Sequence, residues 1–326
     1  MNRIVILVLS IVFLASCNDE IGEGIVVSNA SMQRWLLDFC DKNRDGILSR
    51  EEALAVTKIS VFDSKDSIIA GLEYFPNLEE LEIYYGKVTS VDVSKNDKLK
   101  YLAFGQVKIR TLDLTFNTKL ETLNYRLGTL GSVHLGSKPF LTLLVCDECK
   151  LNSLDVSGCP NLKELRCVGN LLTKLDVTGN PYLEQFDCSR NQLETIDVTR
   201  NPYLEQFNCS DNQLETIDVR NNLKLKSFSC ESNYLLTTLD VSKNTELSGL
   251  LCRGDIKITT LDVSGNTKLK TLLCNSVSIT TLDVSNNLLL DQLSCYFSPD
   301  LATVYLKEGQ TIRSLGIDSH TTVVYK

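Results

Sequence analysis

The sequence predicts an α/β chain leaning to all-β. It reads as a solenoid of 21–22-residue repeats with parallel strands, a small helical N-terminal cap and a β C-terminal cap. Three observations carry that prediction. Residues 180–200, NPYLEQFDCSRNQLETIDVTR, are followed at once by NPYLEQFNCSDNQLETIDVRN, identical at 17 of 21 positions. An apolar-x-apolar tripeptide begins at Val91, Leu112, Val133, Leu154, Leu175, Ile196, Ile217, Leu239, Leu261, Leu282 and Val304, always 21 or 22 residues on. Half a period away, Cys146, Cys167, Cys188, Cys209, Cys230, Cys252, Cys274 and Cys295 each close a phrase L-x-x-[LF]-x-C. Fixed-period self-similarity of this kind marks a stack of identical units, none of which buries its apolar face alone.

The elements follow in chain order. Residues 1–17, MNRIVILVLSIVFLASC, combine a positive Arg3, an apolar run Ile4 to Leu14 and small Ala15 and Ser16, the pattern of an export signal. The run is too short to span about 30 Å of hydrocarbon as a helix. LASC resembles the lipobox of bacterial lipoprotein signals, and that resemblance implies a lipidated Cys17 as the first mature residue. Residues 18–27 then read as a tether. Its start, Asn18, Asp19 and Glu20, resembles the acidic tether of surface-exposed Gram-negative lipoproteins, which implies lipid anchoring at the bacterial outer membrane or cell surface.

Residues 28–75 are expected to form the helical cap. Met32, Trp35, Leu36 and Phe39 have the i, i+3, i+4, i+7 spacing of one helix face. DKNRDGILSREE, residues 41–52, matches the EF-hand loop D-x-[DN]-x-[DN]-G-x5-E. In that reading Asp41, Asn43 and Asp45 supply side-chain oxygens and Ile47 its carbonyl. Ser49 takes the ninth position and Glu52 is the bidentate last ligand of one structural Ca2+. Ser49 with Glu52 is also a capping box for an outgoing helix. A polar helix-turn-helix without metal is the alternative.

Residues 76–306 carry the repeats. One turn reads L-x-x-L-x-C-x-x-N-x-L-x-x-L-D-V-S-x-N, which resembles the leucine-rich-repeat family with Cys in a slot where Leu is commoner. Each turn holds two short alternating segments whose apolar residues point inward. An asparagine follows each: Asn170, Asn191, Asn212 and Asn233 in one column, Asn180, Asn201, Asn222, Asn244, Asn266 and Asn287 in the other. Asn tolerates turn geometry, and its amide can bond backbone groups freed where the chain changes direction.

Twelve cysteines, with Cys146 and Cys149 as CDEC near Cys159 and Cys167, raise the alternatives of zinc and of a disulfide ladder. The repeat register assigns them instead to core. Cys149 stands where other turns have Asn170, Cys159 where they have Asn180, and adjacent parallel strands aim inward thiols poorly for bridging. A column from Asp92 to Asp283, with His134 in it, is read as exposed acids softened by Thr, Ser and Lys; a calcium ladder is the alternative. Residues 307–326 alternate Val, Tyr and Ile between glycines and read as the C-terminal cap.

A net charge of -8 with no basic run argues against a nucleic-acid partner. With two histidines and no nucleophile elbow, phosphate loop or dinucleotide fingerprint, no active site is legible and no enzyme activity is expected. The variable positions lie outward on the L-x-x-L-x-C segment: Glu80, Glu82, Tyr84, Tyr85, Tyr101, Glu164, Arg166, Gln185, Asp187, Arg190, Asn208 and Asp211, with Gln206, Gln292 and Tyr296. In the family this strand lines the concave face used for partner binding. The resemblance to internalin-like adhesins implies a monomeric, non-catalytic surface protein recognising a protein partner. A carbohydrate ligand on Tyr84, Tyr85 and Tyr101, or an envelope spacer, is the alternative.

Overall fold

The computed structural model describes residues 24–27, 30–254 and 257–326. Cys17 and most of the tether lie outside the described residues. The chain divides into two compact units, one up to Leu154 and one from Asp155.

In the first unit, helix α1 (Ala30–Cys40) buries Met32, Trp35 and Leu36, as their spacing predicts, and ends at buried Cys40. Helix α2 (Arg50–Ala55) starts from the reciprocal cap: Ser49 Oγ accepts the Glu52 amide, and Glu52 accepts the Ser49 amide. Five strands follow, Lys58–Ser64, Glu80–Gly86, Tyr101–Gly105, Thr122–Arg126 and Leu143–Asp147, each parallel to and in register with the next. The first carries no L-x-x-L-x-C phrase and lies within span 28–75. It nevertheless pairs Ile59 with Leu81 and Val61 with Ile83. The apolar-x-apolar segments form short parallel pairs on another side of the turn, such as Thr111–Asp113 with Ser132–His134.

The second unit repeats the plan. Its main sheet runs Glu164–Arg166, Gln185–Asp187, Gln206–Asn208, Ser227–Ser229, Gly249–Leu251, Thr271–Leu273, Gln292–Ser294 and Ser314–Gly316, all parallel. Thr281–Asp283, Thr303–Leu306 and Thr322–Tyr325 make a second sheet, so the C-terminal segment contributes a strand to each. Alternation places one inward residue per strand at the same height. Phe186, Phe207 and Phe228 therefore stack at 5.4 and 5.5 Å, nearly parallel, close to the strand spacing of about 4.8 Å. Each such buried ring stabilises by roughly 1.5–3 kcal/mol.

The cysteine column is buried throughout its described length. Cys188 and Cys209 aim their thiols at the Asn208 and Ser229 carbonyls of the next turn, at 3.6 and 3.5 Å. Cys149 acts as an asparagine does elsewhere. Its thiol reaches the Tyr125 and Asp147 carbonyls at 3.1 Å, as the Asn191 amide reaches those of Cys167 and Ser189.

The asparagines work by side chain and not by backbone shape. None has positive φ; in the column of Asn170, Asn191, Asn212 and Asn233 that conformation falls on the preceding residue, Gly169, Arg190, Asp211 and Ser232. The Asp column, read above only as softened surface acid, has a defined task. Asp113, Asp176 and Asp197 each accept the amide and the hydroxyl of the Thr two residues on, closing an Asx turn.

Candidate functional site

On the second unit, the outward side chains of the main sheet floor a groove of about 480 Å³. Strand alternation and register bring Glu164, Arg166, Gln185, Asp187 and Asn208 onto this face, while positive-φ Arg190 and Asp211 project where their strands end. These seven residues and Gln206, all singled out from sequence variation, line it, whereas Gln292 and Tyr296 do not.

The groove is polar and ordered from below. Ser189 donates its amide and hydroxyl to Asp187 at 3.0 and 2.6 Å, Asn208 donates to the other Asp187 oxygen at 3.3 Å, and Arg166 stands 4.0 Å away. Asn208 in turn accepts the Ser210 amide, and the Ser210 and Ser229 hydroxyls lie 2.7 Å apart. Sequence reasoning missed Ser189, Ser210 and Glu231 because they follow the cysteine at repeat positions that look like turn filler, and Ser229 because a serine in the outward slot of Asp187 and Asn208 looks like plain surface. Glu231 lines the groove 2.5 Å from Arg253. Burial raises its carboxyl above the ordinary range; Arg253 opposes that rise and Asp211 adds to it. The groove thus presents amides, hydroxyls and charges of both signs along an extended line.

The first unit gathers the other candidates differently. Lys58 bridges Glu80 and Glu82 at 2.8 and 3.3 Å, and Ser60 donates to Glu82 at 2.7 Å. Phe62 stacks on Tyr84 at 5.5 Å. Tyr84 lies over Gly105, where a Cβ would come within 2.7 Å of the ring. Burial, helped by Tyr101 and Glu82, pushes the Tyr84 hydroxyl up to about 12. Tyr85 has φ 62° and stands exposed beyond the alternation, apart from the Phe62–Tyr84–Tyr101 group.

The loop of residues 41–52 is organised around its own oxygens. Asp41 accepts the amides of Arg44 and Gly46 at 2.6 and 2.9 Å, Asn43 accepts that of Asp45, and Asp45 accepts that of Ile47. Glu52 accepts the amides of Lys42 and Ser49 and the Ser49 hydroxyl. Partial burial works against the Glu52 carboxylate. The bonds from Ser49, Asn43 and Lys42 outweigh it and leave its pKa below the usual value. Gly46 at φ 84° makes the bend, and Leu48 beside it is buried with its carbonyl bonded to the Ile25 amide at 2.8 Å. Among the described residues, no three His, Cys, Asp or Glu side chains converge as a ready metal cluster.

No family model matches the chain, and no curated protein does. Solved structures do. The functional domain of InlJ from Listeria monocytogenes, which includes a cysteine ladder, is 28% identical, with 80% of this chain and 70% of that one covered and a TM-score of 0.54. An internalin, InlF, from the same organism is 19% identical over 90% of this chain and 93% of its own, with a TM-score of 0.58. A leucine-rich-repeat protein of Leptospira interrogans is 16% identical over 79% and 74%, with a TM-score of 0.55. The chain is a leucine-rich-repeat solenoid of parallel strands, and its structural neighbours include internalin-like bacterial repeat proteins.

Proposed function

We propose that the chain is a non-catalytic binding protein, anchored at the cell surface through a lipid on Cys17, that holds a protein partner along the outward face of its main sheet. The observation that carries this reading is the groove of the second unit. Two of the four differences between the duplicated turns fall there, Asp187 against Asn208 and Arg190 against Asp211; the other two, Thr199 against Arg220 and Arg200 against Asn221, lie beside the outer turn, and the Leu, Cys and Asn columns stay fixed. Repeat proteins place recognition on such a face because the stack supplies rigidity and each turn supplies independent side chains. Among other solved neighbours, the plant peptide hormone receptor RGFR1 was solved in complex with RGF2, and Toll with Spatzle. These support a protein ligand for this chain.

The test is capture from extracts of surface proteins by the immobilised chain. Loss of the captured protein on changing Arg166 and Arg190 to Ala, with melting unchanged, supports the reading. Equal capture by the variant overturns it. A glycan ligand is the second reading, favoured by the Phe62–Tyr84 stack over Gly105; it requires glycan-array signal lost on Tyr84→Ala.

We infer further that residues 41–52 hold one structural calcium. Asp41, Asn43, Asp45 and Glu52 supply side-chain oxygens, Ile47 a carbonyl, and Ser49 the ninth position. The backbone bonds that already turn these side chains toward the loop support the fit. Bound there, the ion would stiffen the cap that covers the first rung. A melting temperature that is the same in calcium and in chelator would count against it.

A further inference from the structure

The cysteine column is not uniform. Cys188 and Cys209 donate to backbone carbonyls of the following turn. Cys274 and Cys295 instead face one another, with their sulfurs 3.1 Å apart. Both sit at the same place on in-register strands: Cys274 donates its amide to Ser294, and Cys295 donates its amide to Gly316. In-register parallel neighbours lie about 4.8 Å apart, inside the 4.4–6.8 Å Cα range that a disulfide spans. The sequence argument against bridging therefore fails at this rung, because the thiols turn sideways toward each other.

We propose that Cys274 and Cys295 are a cross-linking site, oxidised to a disulfide that fastens the last turns of the solenoid. The oxidant is a small-molecule disulfide such as oxidised glutathione. The Cys295 thiolate attacks one of its sulfurs, forming a mixed disulfide and releasing a thiolate that takes up the Cys295 proton. The Cys274 thiolate then attacks Cys295 Sγ and releases the second thiolate, which takes up the Cys274 proton. Two protein thiols lose two electrons, and the oxidant leaves as two thiols. Both cysteines are fully buried, and the contact with Cys295 together with burial raises the Cys274 thiol pKa, so the reaction belongs to folding, or to opening of the terminal rungs. Beyond the Cys295 rung the main sheet has a single further strand, Ser314–Gly316, so the pair lies next to the end from which a solenoid frays.

The experiment is refolding of the reduced full chain in a glutathione redox buffer, followed by alkylation and peptide mapping by mass. Refolding gives the oxidant access that the closed stack denies. The expected result is one cross-linked peptide pair, lighter by two hydrogens, joining Cys274 to Cys295, while Cys188 and Cys209 are recovered alkylated. Cys295→Ser should remove the pair and leave Cys274 alkylated. It should also abolish the rise in melting temperature that the wild-type chain shows without reductant. Recovery of both thiols alkylated in the wild type overturns the proposal. So does cross-linking of Cys188 to Cys209 to the same extent, which would mean that the 3.1 Å contact selects nothing.

Discussion

The side-chain amide of Asn201 donates to the carbonyl of Asn180, one turn earlier, at 2.9 Å, and to the Val177 carbonyl at 3.0 Å. Asn180 makes the same pair of bonds to Cys159 and Val156, Asn222 to Asn201 and Val198. Each asparagine thus clamps two buried carbonyls of the turn before it. Replacing Asn201 with Ala removes the side-chain donor from both and leaves each with one backbone amide, that of Asn180 on Val177 and that of Leu183 on Asn180. Two lost bonds at roughly 0.5–1.5 kcal/mol each should lower unfolding free energy by about 1–3 kcal/mol in urea titration. A loss below half a kilocalorie would show that the ladder is decoration.

Lys138 occupies the same column in the first unit, where Asn96 and Asn117 precede it. It is fully buried, and its ammonium reaches the carbonyls of Leu114 at 2.8 Å, Leu135 and Ser137. The charge is held by carbonyl dipoles at a desolvation cost that a neutral amide would not bear. Lys138→Asn should therefore be neutral or stabilising. Lys138→Met, which removes every donor, should cost about 2–4 kcal/mol. Equal effects of the two substitutions on the denaturation midpoint would refute the assignment.

The parts legible in the sequence are those that every turn must repeat. Leu, Cys and Asn recur because stacking gives them the same neighbours each time, so period and register could be read without coordinates. What escaped is where chemistry is conserved but residue type is not. Lys138 and Gln310 both fill the asparagine slot, the latter bonding Val284 and Asn287 carbonyls. KISVFDS, residues 58–64, is a rung with no leucine-cysteine phrase, because an end turn is packed on one side by a cap. The groove was found through its variable residues, whereas its serine supports were hidden by being ordinary.

Asp218 shows what the outer acids contribute. The Arg220 guanidinium and amide bond its carboxylate, at 3.0 and 2.8 Å for the side chain, and hold its pKa down to about 2. A carboxylate whose folded pKa is depressed stabilises above its unfolded value, near 3.9, and loses that stabilisation as pH falls through the folded value. Asp92, Asp113, Asp155, Asp176, Asp240, Asp262 and Asp283 are depressed in the same direction. Melting temperature should accordingly fall steeply between about pH 4 and pH 2. The Asp218→Asn variant should lose less over that window than the wild type. Parallel pH profiles for the two would contradict this.

The duplicated turns supply a test of recognition that leaves the scaffold alone. Changing Asp187 to Asn and Arg190 to Asp makes residues 180–198 identical to residues 201–219. Asn at 187 keeps an oxygen for the Ser189 amide, as Asn208 does for Ser210 at 3.1 Å. Asp at 190 copies Asp211, which holds the same left-handed backbone at φ 53°. The double variant should therefore melt within about 1 kcal/mol of the wild type, the usual range for exposed substitutions away from special features. Its groove nevertheless loses the carboxylate that faces Arg166 and exchanges a positive for a negative charge at position 190. If the irregular face selects the partner, affinity should drop at least tenfold, about 1.4 kcal/mol, in a binding titration with whatever protein the wild type captures. Retained affinity in the stable double variant would move recognition off this groove.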